Sequence, residues 1–137
     1  MLMLNVGGEM NQTITVKAFL IKGALAGALS ISMGAFAAHG LKAIVTPERV
    51  TTFETAARYQ MYHALFMLIV ALILQSKDNN LLRWAGWLNA LGCLFFSGSL
   101  YLLVLLDVPR VGMITPIGGL FFIVSWVLVA LAGLKSA

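Results

Sequence analysis

The chain has 137 residues, 61% of them hydrophobic and 10% charged, with a mean hydropathy of +0.95 and a net charge of +4. Soluble domains carry charge on about a quarter of their residues, so this composition excludes a water-soluble globular fold and points to the bilayer as solvent. The nine Lys and Arg are scattered without a block of like charge, which argues against nucleic acid as a partner, and the single cysteine, Cys93, excludes an intrachain disulfide or a zinc site of several thiolates.

Residues 1–15 lack helical apolar periodicity and are expected to form a flexible tail, with Met10 as a second candidate start. A first span is expected from Ala18 to Ala38, preceded by Lys17 and carrying Lys22, whose stem can snorkel toward the interface. Ala35-Phe36-Ala37 has the form of a signal-cleavage site, but the apolar segment is long for a signal. At 100° per residue Gly23, Gly27, Ser30, Gly34 and Ala38 share a stripe about 80° wide, along which backbones can approach closely. An intramolecular packing seam is the first reading of that stripe, and a homo-oligomer contact the second.

Thr46, Pro47 and Glu48 predict a helix start: a capping hydroxyl, a proline at the first helical position and an acid at the positive dipole end. From there an amphipathic extension is expected to run into a second span from about Met61 to Leu74. Glu54 and Arg58 fall on its apolar side with Val50, Phe53, Ala57 and Met61. Their i,i+4 spacing predicts that they pair with each other, as a salt bridge pinning the helix over the bundle or as a gate or ligand anchor. His39, at the end of span one, and His63, at the start of span two, would lie at the same membrane face. Two histidines are thin ground for haem, and the expectation is that each is an interfacial, hydrogen-bonded side chain with no metal and no cofactor. On a straight helix His63 projects about 140–180° away from Glu54 and Arg58.

Residues 77–80 and 107–110 predict tight turns around a third span from Trp84 to Leu106. There Gly86, Asn89, Ala90, Cys93, Ser97 and Tyr101 share an arc about 120° wide, which should face protein because polar groups aimed at lipid go unsatisfied. A fourth span from Gly112 to Leu134 opens with Thr115-Pro116, either a helix start with proline in its first turn or an interruption of the kind that lines transporter sites. Four spans put both termini on one side, and five Lys and Arg there against four opposite favour a cytoplasmic side by a single charge. Trp84 and Trp87 near one face, with Tyr59 and Tyr62 near the other, fit aromatic belts.

Residues 34–41, 53–65, 94–101 and 114–119 carry four motifs: Gly-Ala-Phe-Ala-Ala-His-Gly-Leu, Phe-Glu-Thr-Ala-Ala-Arg-Tyr-Gln-Met-Tyr-His-Ala-Leu, Leu-Phe-Phe-Ser-Gly-Ser-Leu-Tyr and Ile-Thr-Pro-Ile-Gly-Gly. In that order they resemble the YgdD/transmembrane protein 256 family, the domain of unknown function numbered 423, over about residues 17 to 134, with Ala37 where that family's first motif has glycine. The resemblance implies a small multi-span membrane protein, in bacteria one of the plasma membrane (the inner membrane of a Gram-negative cell), and brings no catalytic residues.

The fold expected is all-α: an integral membrane four-helix bundle over residues 16–137, with an amphipathic extension on its second helix. A polar cluster of His39, Glu54, Arg58, His63, Ser97, Tyr101 and Thr115 would sit in one half of the bundle, with Gly23, Gly27, Ser30 and Gly34 packing helices. The chain carries no HExxH, no paired aspartates and no serine, histidine and acid set, so a non-catalytic binding or accessory protein is expected. Its partners would be membrane lipids and a homo-oligomer or larger membrane complex. The alternative, a small transporter or channel, requires a polar cavity continuing past mid-membrane.

Overall fold

The computed structural model describes residues 2–135. Helix α1 (Leu2–Ala38) is followed by a 3-10 turn (Leu41–Ala43), α2 (Pro47–Ser76), α3 (Asn80–Gly92), a π-helical segment (Cys93–Ser97), α4 (Gly98–Leu105), a second 3-10 turn (Pro109–Met113) and α5 (Thr115–Lys135). α3, the π segment and α4 form one continuous span. Among the described residues four stretches are long and apolar enough to cross a membrane, Val6–Ala43, Pro47–Ser76, Asn80–Leu105 and Pro109–Lys135, so the chain is an integral membrane four-helix bundle.

The start of α2 follows from its sequence. Thr46 is extended, its hydroxyl accepts from the Arg49 amide at 3.4 Å, and Pro47 occupies the first turn. The expected extension and short span are one helix of 30 residues. Asn79 caps α3 by accepting from the Leu81 amide at 2.8 Å. Beyond α4, Asp107 adopts a positive φ of 52°, a backbone state that a short polar side chain tolerates, and its carboxylate accepts from Arg49 at 2.8 Å. That ion pair ties the turn after α4 to the start of α2. At the opposite end of the bundle Asp78 accepts from Arg83 through both carboxylate oxygens, at 2.8 and 2.9 Å.

The Asp78 pair has a pH signature. Hydrogen bonding from Arg83 holds the Asp78 carboxyl below its usual value. A depressed folded-state pKa contributes stability that is present above the unfolded carboxylate value and is lost as pH falls through the lowered folded value. Acid titration should therefore remove it, and Asp78→Asn should abolish that part of the acid sensitivity. Because Asp78 is largely exposed, the expected cost at neutral pH is at most about 1 kcal/mol in a detergent melting curve.

Of the residues expected as a tail over 1–15, those from Leu2 onward are helical and continuous with α1. Gln12 donates to the Leu74 carbonyl, Thr15 accepts from Arg83 at 3.1 Å, and Val16 joins a buried cluster with Leu74 and Leu82. Residues 6–11 are exposed, so the helix continues there without a face to bury. Propagating an existing helix costs far less than nucleating one, which explains a helix with no apolar periodicity.

Two apolar clusters fill the ends of the bundle. One, near the termini, contains Phe19, Phe66, Val70, Leu74 and Ala85; the other contains Ala37, Leu41, Phe53, Ala56 and Val104. Between them the helices are joined by side chains that donate to backbone carbonyls. α1 lies along α2 through a reciprocal pair, Ser30 to Ala57 at 2.6 Å and Gln60 to Ala26 at 2.8 Å. Gly23 makes the closest approach on that seam, since a Cβ there would meet the Ala64 carbonyl at 3.1 Å. Gly27 would meet Ala64 at an ordinary 3.9 Å, and Gly34 faces open space. α5 packs on the third span through Gly118, where a Cβ would collide with the backbone of Phe95 and Phe96.

Candidate functional site

The two ion pairs mark the ends of α2 and thereby give depth to its side chains. From Arg49 to Asp78 the chain rises about 44 Å, against about 30 Å of hydrocarbon. His63 lies midway, not at the interface as expected. The extension expected outside the membrane before Met61 is part of the membrane-crossing length of α2, which moves His63 inward.

His63 is buried, and its neighbours settle which ring nitrogen carries the proton. Nδ1 donates to the Tyr59 carbonyl at 2.8 Å, while Nε2 accepts from the Trp126 indole at 3.1 Å. Both nitrogens are therefore engaged in the Nδ1–H tautomer, and neither has a lone pair free for a metal. The ring stacks on Phe122 at a centroid distance of 3.5 Å and an interplanar angle of 9°, and Trp126 meets Phe66 edge-on at 4.6 Å. Asn89, fully buried on α3, donates its amide to the His63 carbonyl at 2.9 Å, and its Oδ1 has no partner among the described residues.

One turn toward Arg49, Tyr101 donates its hydroxyl to Gln60 Oε1 at 2.7 Å, linking α4 to the Gln60 amide that already holds α1. Ser97, in the π segment, donates to the Ala56 carbonyl at 2.8 Å. Beside these groups a groove of about 400 Å³ opens between α1 and the third span, with α2 as its floor. Gln60, His63, Cys93 and Tyr101 supply its polar surface, and Lys22 stands at one end, its ammonium 4.1 Å from the centre of the Trp87 ring. Leu25, Leu29 and Leu94, all exposed, form the rim.

The expected polar cluster is dispersed. His63 and Tyr101 share the groove; Ser97 ties helices together beside it. Thr115 pairs with Ser99 at 2.6 Å at the start of α5, so Pro116 sits in a first turn and interrupts nothing. His39 is exposed in the turn after α1. Glu54 and Arg58 occupy a different face, in a shallow cleft with Ser30, Gly34, Ala57 and Met61. Their expected ion pair is absent: among the described residues the salt bridges are Arg49 with Asp107 and Arg83 with Asp78. Glu54 is half-buried and Arg58 exposed, and the i,i+4 spacing alone does not bring them together.

Sequence reasoning missed Gln60, Trp126 and Phe122. Gln60 carried a signal, since an amide inside a membrane-crossing helix is costly unless it bonds another helix. The transporter reading gains no support from this arrangement. Ser30, Gln60, Asn89 and Ser97 donate to helix carbonyls and Tyr101 to the Gln60 side chain, and apolar clusters fill the bundle on either side of them.

Fold and site together define a small, all-helical, four-span integral membrane protein whose buried polar side chains bind its helices to one another. The chain belongs to the DUF423 family: residues 33–119 match the family described as "Protein of unknown function (DUF423)". It is 44% identical over 122 residues to a UPF0382 membrane protein of Staphylococcus aureus (strain bovine RF122), covering 89% of this chain and 99% of the relative. It is 38% identical over 121 residues to the UPF0382 membrane protein YwdK of Bacillus subtilis, covering 88% and 98%. The resemblance read from the four motifs is therefore correct. No solved structure matches the chain.

Proposed function

We propose that the protein is a non-catalytic membrane binding protein that holds an amphiphile, a lipid or a lipid-like small molecule, in the groove between α1 and the third span. The observation that carries this reading is the combination of an apolar wall open at its rim with a polar floor of Gln60, Tyr101, His63 and Cys93. Its volume of about 400 Å³ is that of a small-molecule site. An acyl chain or isoprenoid tail would lie along Leu25, Leu29 and Leu94, and a carbonyl or hydroxyl could meet the second amide hydrogen of Gln60. The engaged nitrogens of His63 support binding over chemistry. An accessory role, in which the chain packs against itself or a larger complex, is favoured by the unpaired Glu54 and Arg58 on the opposite face.

Gly98 provides the test. It lines the groove, and a Cβ there would meet nothing within 4 Å. Gly98→Leu should fill the groove without disturbing the fold. Native mass spectrometry from mild detergent should find an amphiphile retained by the wild type and lost, at unchanged melting temperature, from the variant. A wild type free of bound amphiphile, or equal retention by Gly98→Leu, would refute the groove as the site.

A further inference from the structure

We infer that the outer face of the α1–α2 pair, centred on Glu54 and Arg58, docks a second copy of this chain, each copy's Glu54 pairing with the other's Arg58. This rests on the self-assembling branch of the proposed function and specifies its surface. Neither side chain has a hydrogen bond or ion pair among the described residues. Yet both lie within the membrane-crossing part of α2, Glu54 about 11 Å and Arg58 about 5 Å along the axis from the middle of the helix. Charged side chains at such depth are normally matched by a protein partner or a water-filled space, because lipid tails offer neither hydrogen bonds nor counter-charge.

The cleft that holds them is shallow, about 390 Å³, and floored by Ser30, Gly34 and Ala57. A Cβ on Gly34 would meet nothing within 4 Å, so α2 of this chain leaves that part of α1 uncovered. Small residues on the floor let a second helix come close, which is how helices associate in lipid. The charges identify the occupant. An anionic lipid headgroup would satisfy Arg58 and repel Glu54, and a zwitterionic one, which carries both charges, lies at the interface and not at the depth of Arg58. A second copy carries the complement by construction. With both copies inserted the same way and related by a two-fold axis along the membrane normal, Glu54 and the opposing Arg58 are offset by one turn, about 6 Å, which an arginine side chain spans. Such an isologous contact forms two identical ion pairs and closes.

The test uses two differently tagged copies co-expressed in one membrane. Wild-type copies should co-purify. Copies both carrying Glu54→Lys, or both carrying Arg58→Glu, should co-purify at least tenfold less. A Glu54→Lys copy with an Arg58→Glu copy should recover the wild-type yield, because every charge then meets its opposite across the interface, which no role confined to one chain predicts. If the wild type co-purifies and the single variants do so equally, this surface is wrong while self-assembly stands. If the wild type does not co-purify, both fall. Should the charged variants fail to accumulate, crosslinking in intact membranes decides. In a Cys93→Ser background Met61→Cys, in the cleft, should form a disulfide-linked dimer and Leu120→Cys, exposed on α5, should not; no dimer from Met61→Cys overturns the inference.

Discussion

Gly118→Ala should destabilise the bundle by about 1–3 kcal/mol, the usual cost of forcing an extra carbon into a filled contact, while Gly119→Ala leaves it unchanged. The two glycines are neighbours on α5 and differ in what stands before them. At Gly118 a Cβ would run into the backbone of Phe95 and Phe96, which cannot swing aside as a side chain can. At Gly119 it would meet the Phe96 ring at 3.8 Å, an ordinary contact. Helix propensity favours alanine at both sites, so a loss confined to Gly118 isolates the backbone collision. Thermal unfolding in mild detergent, followed by size exclusion, measures the difference. Equal melting temperatures for the two variants would mean that α5 does not press against the π segment as described.

The second large effect is expected at His63. His63→Ala removes the ring stacked on Phe122 and deprives the Trp126 indole N–H of its acceptor, at a depth where lipid tails offer no replacement. Loss of a well-packed buried ring costs about 3–5 kcal/mol in the aromatic cases, and an indole donor left without its acceptor within the hydrocarbon adds about 1–3 kcal/mol. With partial collapse of the site, about 3 kcal/mol is expected overall. His63→Phe should recover the packing but not the hydrogen bond and so fall between the two. Trp126 fluorescence gives an independent readout, since removal of the acceptor should shift its emission in both variants. An unshifted emission would show that the indole does not bond to His63.

The parts of this architecture that were legible in the sequence are those governed by local rules. Thr46-Pro47-Glu48 specified the start of α2, the apolar lengths specified four crossings, and the turns at 77–80 and 107–110 fell where polar residues interrupt them. What was not legible depended on partners distant in sequence. Apolar runs alone placed the boundary of the second span at Met61, which moved His63 to an interface and hid Gln60 in a supposed extension. The helix over residues 6–11 buries no face and so leaves no periodic trace. Spacing permits Glu54 and Arg58 to pair, yet among the described residues the ion pairs are Arg49 with Asp107 and Arg83 with Asp78, so proximity along one helix is not sufficient. For the candidate site, the sequence offered the right histidine and tyrosine but could not supply Phe122 and Trp126, whose relevance arises from α5 packing on the third span and reaching His63 and Phe66 with its side chains.

The wide turn at Cys93–Ser97 has a consequence for the third span as a whole. The Gly98 amide reaches back five residues, to the Cys93 carbonyl, instead of four, so the span carries one residue more than an unbroken α-helix would need at that point. That surplus acts as a phase shift between the two halves. Upstream of it Asn89 meets the carbonyl of His63, and downstream Tyr101 meets Gln60. Deleting one residue between 93 and 97 would wind the segment back into register and turn the downstream half through about 100°. A shortened relative could then keep one of these two bonds but not both, which gives the bulge the role of a gear tooth: it lets a single rod mesh with the same neighbour at two separate points.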